Sequence, residues 1–307
     1  MKILKFGGKS LSNGEGIEKV VAIIENKIKK GEEINVVVSA RGKATDELED
    51  ILFIAAKNGN YKPLFESFKA YQQDKYTDID LSEDFEVLEK LFEGVSLIGD
   101  YSSRIKDQIL SKGELLSGRL LTGILLKNGI NAQFADARNL IKTDSKFGDA
   151  QPLEQLSKKN VVQFFKENSE KINIVTGFIG SNGNNETTTL GRNGSNYTAS
   201  LLANYLNAEE LQNYTHVDGI YTANPDLVPD AKKIDFLSFN EANELANFGA
   251  TILHAKTIIP LLEKNIPLRI LNTFNHENQG TLITVNHSKD GIRTLSVLEN
   301  VSLVNLE

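Results

Sequence analysis

The chain of 307 residues contains no cysteine and no tryptophan. Without thiols there is no disulfide framework, no thiolate-ligated zinc and no iron–sulfur cluster. Its four histidines, His216, His254, His276 and His287, show no HxxxH spacing, which argues against an imidazole zinc site, and no metal ligand set is assigned. No apolar run approaches the roughly 18 residues of a membrane helix. The opening residues, MKILKFGG, carry neither the apolar core nor the cleavage site of a secretory signal, so the expected setting is cytoplasmic. Positive charge is also short: 34 Lys and Arg against 41 Asp and Glu leave a net charge of −7. Nucleic acid and membrane surfaces both reward a basic face, so neither is an expected partner. Only seven of the cations are arginine.

What is present is ordinary core material. Hydrophobic residues make up 40% of the chain and 23 glycines add to them, enough for a full interior and too much for a disordered chain. Short β-branched or apolar runs at 3–6, 34–39, 132–135 and 172–176 read as strands. Between the first two, Ile17, Val20, Val21, Ile24 and Ile28 recur at helical spacing, and Gly31 suits a helix end. Strand–helix–strand repetition predicts an α/β fold with helices on both faces of a mostly parallel sheet, a three-layer αβα sandwich. Residues 45–127 read as almost wholly helical, with a polar, acidic break near 77–84; that is too long for one crossover and predicts a helical insertion. A helical stretch at 241–264 and strands at 267–271 and 281–285 follow. Beyond them, 292–297 and 301–306 read as two more strands, which cannot bury both their faces alone. The expected division is therefore a domain at 1–285 and, at 286–307, a linker with the start of another.

Several strand ends run into a glycine-rich turn read as opening a helix. They are Lys5-Phe6-Gly7-Gly8-Lys9-Ser10, Val38-Ser39-Ala40-Arg41-Gly42-Lys43-Ala44-Thr45-Asp46, Thr176-Gly177-Phe178-Ile179-Gly180 and Leu190-Gly191-Arg192-Asn193-Gly194-Ser195-Asn196. Glycine lets backbone N–H groups converge, and a helix N-terminus adds partial positive charge, so such loops suit phosphate or carboxylate. One loop alone is as well read as a plain turn. Several at the carboxyl edge of one sheet mark a ligand site. Two familiar motifs fail on spacing: a Walker A motif ending at Ser10 needs a glycine at Ile3, and GxGxxG after Gly14 and Gly16 needs one at Lys19.

The blocks 5–10, 37–48, 113–117, 187–199, 215–225 and 241–281 together resemble, in order and spacing, the catalytic domain of aspartokinases in the amino-acid-kinase superfamily. Leu190–Ser195 and the tail at 292–306 look most like the kinase part of bifunctional aspartokinase–homoserine dehydrogenases. The resemblance implies the amino-acid-kinase fold. It also implies transfer of the γ-phosphoryl group of ATP, with Mg2+, to the β-carboxylate of L-aspartate, the first step towards lysine, threonine, methionine and isoleucine. C-terminal ACT and homoserine dehydrogenase domains, and a homo-oligomer at full length, belong to the same expectation. By resemblance Lys5, Arg192 and Asn196 take catalytic positions. Arg192 clamps the substrate α-carboxylate, Glu114 meets its ammonium, and Ser39, Thr45 and Ser195 stand near the carboxylates. Lys5, Gly7, Gly8, Lys9, Thr215, His216, Asp218, Tyr221, Thr222 and Thr251 fall on the nucleotide side.

The sequence departs from that pattern inside the motifs. Lys9 stands for the usual Thr, Asn196 and His216 each for Asp, Thr251 for Lys, and Asn224-Pro225-Asp226 for Asp-Pro-Arg. Asn196 and His216 each remove a carboxylate, Thr251 and Asp226 each remove a cation, Lys9 adds a cation and Asp226 an anion. A rearranged but active kinase is the first reading, in which Lys9 partly replaces the cation lost at Thr251. The alternative is a degenerate kinase-like module that binds ligand without turnover beside an attached dehydrogenase. An acetylglutamate or uridylate kinase is a third, against which the Glu114 and Arg192 blocks speak.

Overall fold

The computed structural model describes residues 1–285 apart from Asn13, Asp226, residues 248–254 and His276. The expected second-domain start at 286–307, and Thr251 with it, lie outside the described residues.

The run Lys2–Phe6 forms strand β1, followed by a short 3-10 turn at Gly8–Leu11, helix α1 (Glu15–Lys29) and β2 (Ile34–Val38). Next come five consecutive helices: α2 (Ala44–Ala56), α3 (Lys62–Gln73), α4 (Ser82–Ile98), α5 (Ser103–Leu110) and α6 (Lys112–Lys127). They are the expected helical insertion. Strand β3 (Ala132–Ala135), α7 (Ala137–Leu140), α8 (Glu154–Glu167) and β4 (Ile172–Thr176) continue the alternation. The loop after β4 does not open a helix as its glycines imply; it leads into a hairpin of β5 (Ile179–Ser181) and β6 (Thr187–Thr189). Helix α9 (Gly194–Leu206) then leads to β7 (Glu210–Thr215), a strand that the apolar pattern does not announce. The remainder is β8 (Ile220–Tyr221), β9 (Lys233–Ile234), β10 (Phe236–Ser238), α10 (Phe239–Asn247), α11 (Ala255–Glu263), β11 (Leu268–Asn272) and β12 (Thr281–Thr284).

Eight strands form one sheet in the order β10-β12-β11-β7-β1-β2-β4-β3, with β11 against β12 as its one antiparallel pair. Side chains alternate across it with period two. Leu4, Phe6, Val36 and Val38 face one apolar cluster with α1 and the insertion helices, while Ile3 and Val37 face another with α8, α9 and α11. Both faces are covered, which is the three-layer sandwich expected of a parallel sheet. Strand β1 lies between β2 and β7, pairing in parallel with each. The chain leaves β1 in one direction and returns on the other side, so the carboxyl end of β1 is the switch point where open α/β sheets bind ligands.

Candidate active site

A cavity of about 750 Å3 opens at that carboxyl edge. Lys5, Gly8, Ser39, Thr45 and Glu114 line it together with Arg192, Ser195 and Asn196. Sequence separations of up to about 190 residues are thereby closed by three strand ends and three helix starts, those of α2, α6 and α9.

The first two loops meet through glycine. A Cβ at Gly8 would come within 2.7 Å of the Gly42 carbonyl and 2.8 Å of that of Ala40, while Gly42 N donates to Gly8 O at 3.0 Å. Lys5 is 7% exposed, and its Nζ lies 3.4 Å from where a Cβ on Gly7 would sit, so the ammonium rests over that bare backbone. Burial lowers its pKa to about 8, against the opposing pull of the Glu114 carboxylate.

Glu114, in the first turn of α6, is 3% exposed and thus no solvated helix start. Its Oε1 accepts the Ala40 amide at 3.0 Å, whereas its Oε2 is buried with no hydrogen-bond partner among the described residues. Burial pushes its pKa up to about 8, despite the Ala40 amide, the Lys5 charge and the nearby Ser195 hydroxyl. A buried carboxylate oxygen without a donor is expensive, and it fits a ligand that brings one.

Thr45 and Ser195 do not cap their helices: the N-cap positions of α2 and α9 are Lys43 and Asn193, and neither makes a side-chain cap bond. Two uncapped helix N-termini thus reach the cavity, adding partial positive charge to it. Arg192 is exposed at the mouth. Asn196, in the first turn of α9, holds a buried Oδ1 that has no partner among the described residues.

The other residues expected on the nucleotide side are placed differently. Lys9 and His216 do not line the cavity; both are exposed beside it, with Lys9 Nζ 3.3 Å from His216 Nε2. Burial of the ring and the Lys9 charge lower the His216 pKa, so a neutral imidazole accepts from the ammonium. Two departures from the expected motifs therefore touch each other. Thr215 accepts from Val217 N at 3.1 Å, Asp218 from Asn272 Nδ2 at 2.7 Å, and Thr222 from Lys232 N at 3.0 Å. These three, and Tyr221 on β8, do not line the cavity; Tyr221 and Thr222 belong to the β8–β9 hairpin, while Asp218 is tied to the end of β11.

Sequence reasoning passed over Asp107, Lys43, Lys106, Phe147, Gly148 and Thr189, which also line the cavity. The partners of Asp107 are backbone amides 41 and 82 residues away, which no local pattern reveals. Arg41, within the second loop, is a brace: it is fully buried and donates to the carbonyls of Leu11, Tyr71 and Gln72.

Comparison with known proteins gives the family and the fold. The family described as "Amino acid kinase family" matches residues 1–272. An aspartokinase of Chlamydia muridarum is 34% identical over 98% of this chain and 68% of its own length. The chloroplastic bifunctional aspartokinase/homoserine dehydrogenase 1 of Arabidopsis thaliana is 33% identical over 99% of this chain. This chain spans only 35% of that relative's length, about a third. The crystal structure of E. coli aspartokinase III in complex with aspartate and ADP superposes with a TM-score of 0.84 at 30% identity, covering 94% of this chain and 65% of that one.

Proposed function

Because this chain belongs to the amino acid kinase family and, within it, to the aspartokinases, we propose that it transfers the γ-phosphoryl group of ATP to the β-carboxylate of L-aspartate, giving 4-phospho-L-aspartate. One observation carries the reading: the unpartnered Oε2 of buried Glu114 shares a cavity with Arg192 and Lys5. A carboxylate acceptor for an ammonium, a guanidinium for a carboxylate and a buried ammonium for a phosphoryl group together match an amino acid and its phosphate donor.

The chemistry needs no general base. The side-chain carboxylate of aspartate has a pKa of about 3.9 and is ionised at neutral pH. Catalysis is then positioning and charge stabilisation. Arg192 receives the α-carboxylate in a two-point contact that fixes its plane. Glu114 receives the α-ammonium, and Ser39, Thr45 and Ser195 offer hydroxyls near the reacting carboxylate. Lys5 and the Gly7 and Gly8 amides receive the phosphate oxygens, with the starts of α2 and α9 adding positive potential. Magnesium would accompany the nucleotide phosphates and offset their charge. Asn196, whose neutral Oδ1 is unpartnered among the described residues, could accept a hydrogen bond there but could not neutralise a cation.

A wider proposal takes 1–285 as the kinase unit and 286–307 as the entry to ACT and homoserine dehydrogenase domains of a homo-oligomeric chain; the longer relatives, named as bifunctional aspartokinase/homoserine dehydrogenases, support its dehydrogenase part. The compartment proposed is the cytoplasm, where ATP and L-aspartate are both at hand; among the described residues no helix is long and apolar enough to cross a membrane.

The test is a coupled assay of ADP release by the full-length protein with magnesium, ATP and L-aspartate, repeated with GTP. L-Aspartate-dependent release is expected. Binding of L-aspartate without release would instead favour the degenerate module, for which the charge changes at Lys9, Asn196, His216, Asp226 and Thr251 are the motive. Lys9, held against His216 at the sheet edge, is expected to act on the nucleotide alone. Lys9→Thr should raise the KM for ATP severalfold and leave that for L-aspartate unchanged; equal KM values in both forms would remove Lys9 from the nucleotide site.

A further inference from the structure

Asp107 is 1% exposed, and nothing in the proposed reaction calls for a carboxylate at its position. Its Oδ2 accepts Gly148 N at 2.9 Å and Thr189 N at 2.8 Å, and its Oδ1 accepts the Thr189 hydroxyl at 2.9 Å. The donors come from two segments that flank the arginine. Gly148 and its neighbour Phe147 line the cavity, while Thr189 ends β6 three residues before Arg192. The same segments meet again at Gly191, which has φ +74°; a Cβ there would come 2.7 Å from Asp149 Oδ1. Asp149 Oδ1 is in turn held by Lys256 Nζ at 2.5 Å. A carboxylate is costly to bury unless donors satisfy it. Here three donors do so, and all of them belong to the walls beside Arg192.

We propose that Asp107 is a positioning residue for the amino-acid subsite. It ties the 145–149 loop to the strand end that carries Arg192, so that the guanidinium is held in register for the substrate carboxylate. The kinetic consequence rests on the aspartate kinase reading; the mechanical one does not.

The two are separated by measuring hydrogen exchange and kinetics on the full chain. In Asp107→Ala, peptides covering 145–149 and 189–193 should lose protection together. Asp107→Asn should restore both, because its carboxamide oxygen can accept the two backbone amides while its NH2 donates to the Thr189 hydroxyl. Unchanged protection of 189–193 in Asp107→Ala, or no restoration by Asn, overturns the proposal. In the ADP-release assay, Asp107→Ala is expected to raise the KM for L-aspartate tenfold or more with the KM for ATP within twofold, and Asp107→Asn to recover most of this. A loss confined to kcat with both KM values unchanged marks a merely structural residue and also overturns it. Should the Ala variant not fold, Thr189→Val removes the hydroxyl bond alone and should loosen the same peptides to a smaller degree; unchanged exchange there overturns it too. If the parent protein releases no ADP with L-aspartate, the function reading fails while the exchange result still decides the role of Asp107.

Discussion

Lys5→Met is expected to reduce kcat by about 100- to 1,000-fold, the usual effect of removing one preorganised group aimed at developing charge, worth about 2.7–4 kcal/mol. The chemistry depends on charge stabilisation, and Lys5 is the cation buried where the first strand ends, its Nζ lying over Gly7. The variant should nonetheless fold. Burial lowers the Lys5 pKa from 10.5 to about 8, so the ammonium is disfavoured in the native state. Between those values the unfolded chain holds the proton more firmly, and stability rises with pH across that window. A methionine of similar length carries no charge to desolvate, so its melting temperature at pH 7 should equal or exceed that of the parent. Loss of activity with retained or raised melting temperature supports the phosphate role. Activity within threefold of the parent would exclude it.

Much of this site is legible before any fold is known, and the reason is local. Lys5, Gly7 and Gly8, Ser39, and Arg192 with Ser195 all lie in turns at strand ends or helix starts, where glycine and polar residues interrupt apolar runs. The parallel sheet follows from the same alternation. Strand β7 shows where that logic stops. Glu210, Gln212 and Asn213 give it no apolar pattern, yet Gln212 and Asn213 are buried, because β1 and β11 pair with it on both sides. Tertiary pairing overrides composition in a central strand. The hairpin of β5 and β6 is hidden likewise, since three threonines and a glycine turn read as loop until paired. Asp107 is invisible for a third reason: its role is to bind amides from distant segments, and nothing in SRIKDQIL distinguishes it from a surface acid.

Glu114→Gln should raise the KM for L-aspartate about thirtyfold or more, since truncating a buried, hydrogen-bonded charge partner costs about 2–5 kcal/mol. The carboxamide keeps an oxygen for the Ala40 amide but presents no anion to the substrate ammonium. The sign of the pH dependence follows from the direction of the shift. Burial raises the Glu114 pKa from 4.5 to about 8, so the folded protein binds this proton more tightly than the unfolded chain. Its contribution to stability is complete below pH 4.5 and is lost as pH rises through about 8. The glutamine variant has no such loss, so its advantage in melting temperature over the ligand-free parent should grow from pH 5 to pH 8. Catalysis runs the other way. Glu114 must shed its proton to receive the ammonium, while Lys5 must keep its own, so kcat/KM for L-aspartate should rise towards pH 8 and fall beyond it. Glu114→Gln should flatten the rising limb and leave the falling one. Lower stability at every pH with an unaltered profile would make Glu114 a structural acid, and the ammonium would then need another acceptor in the cavity.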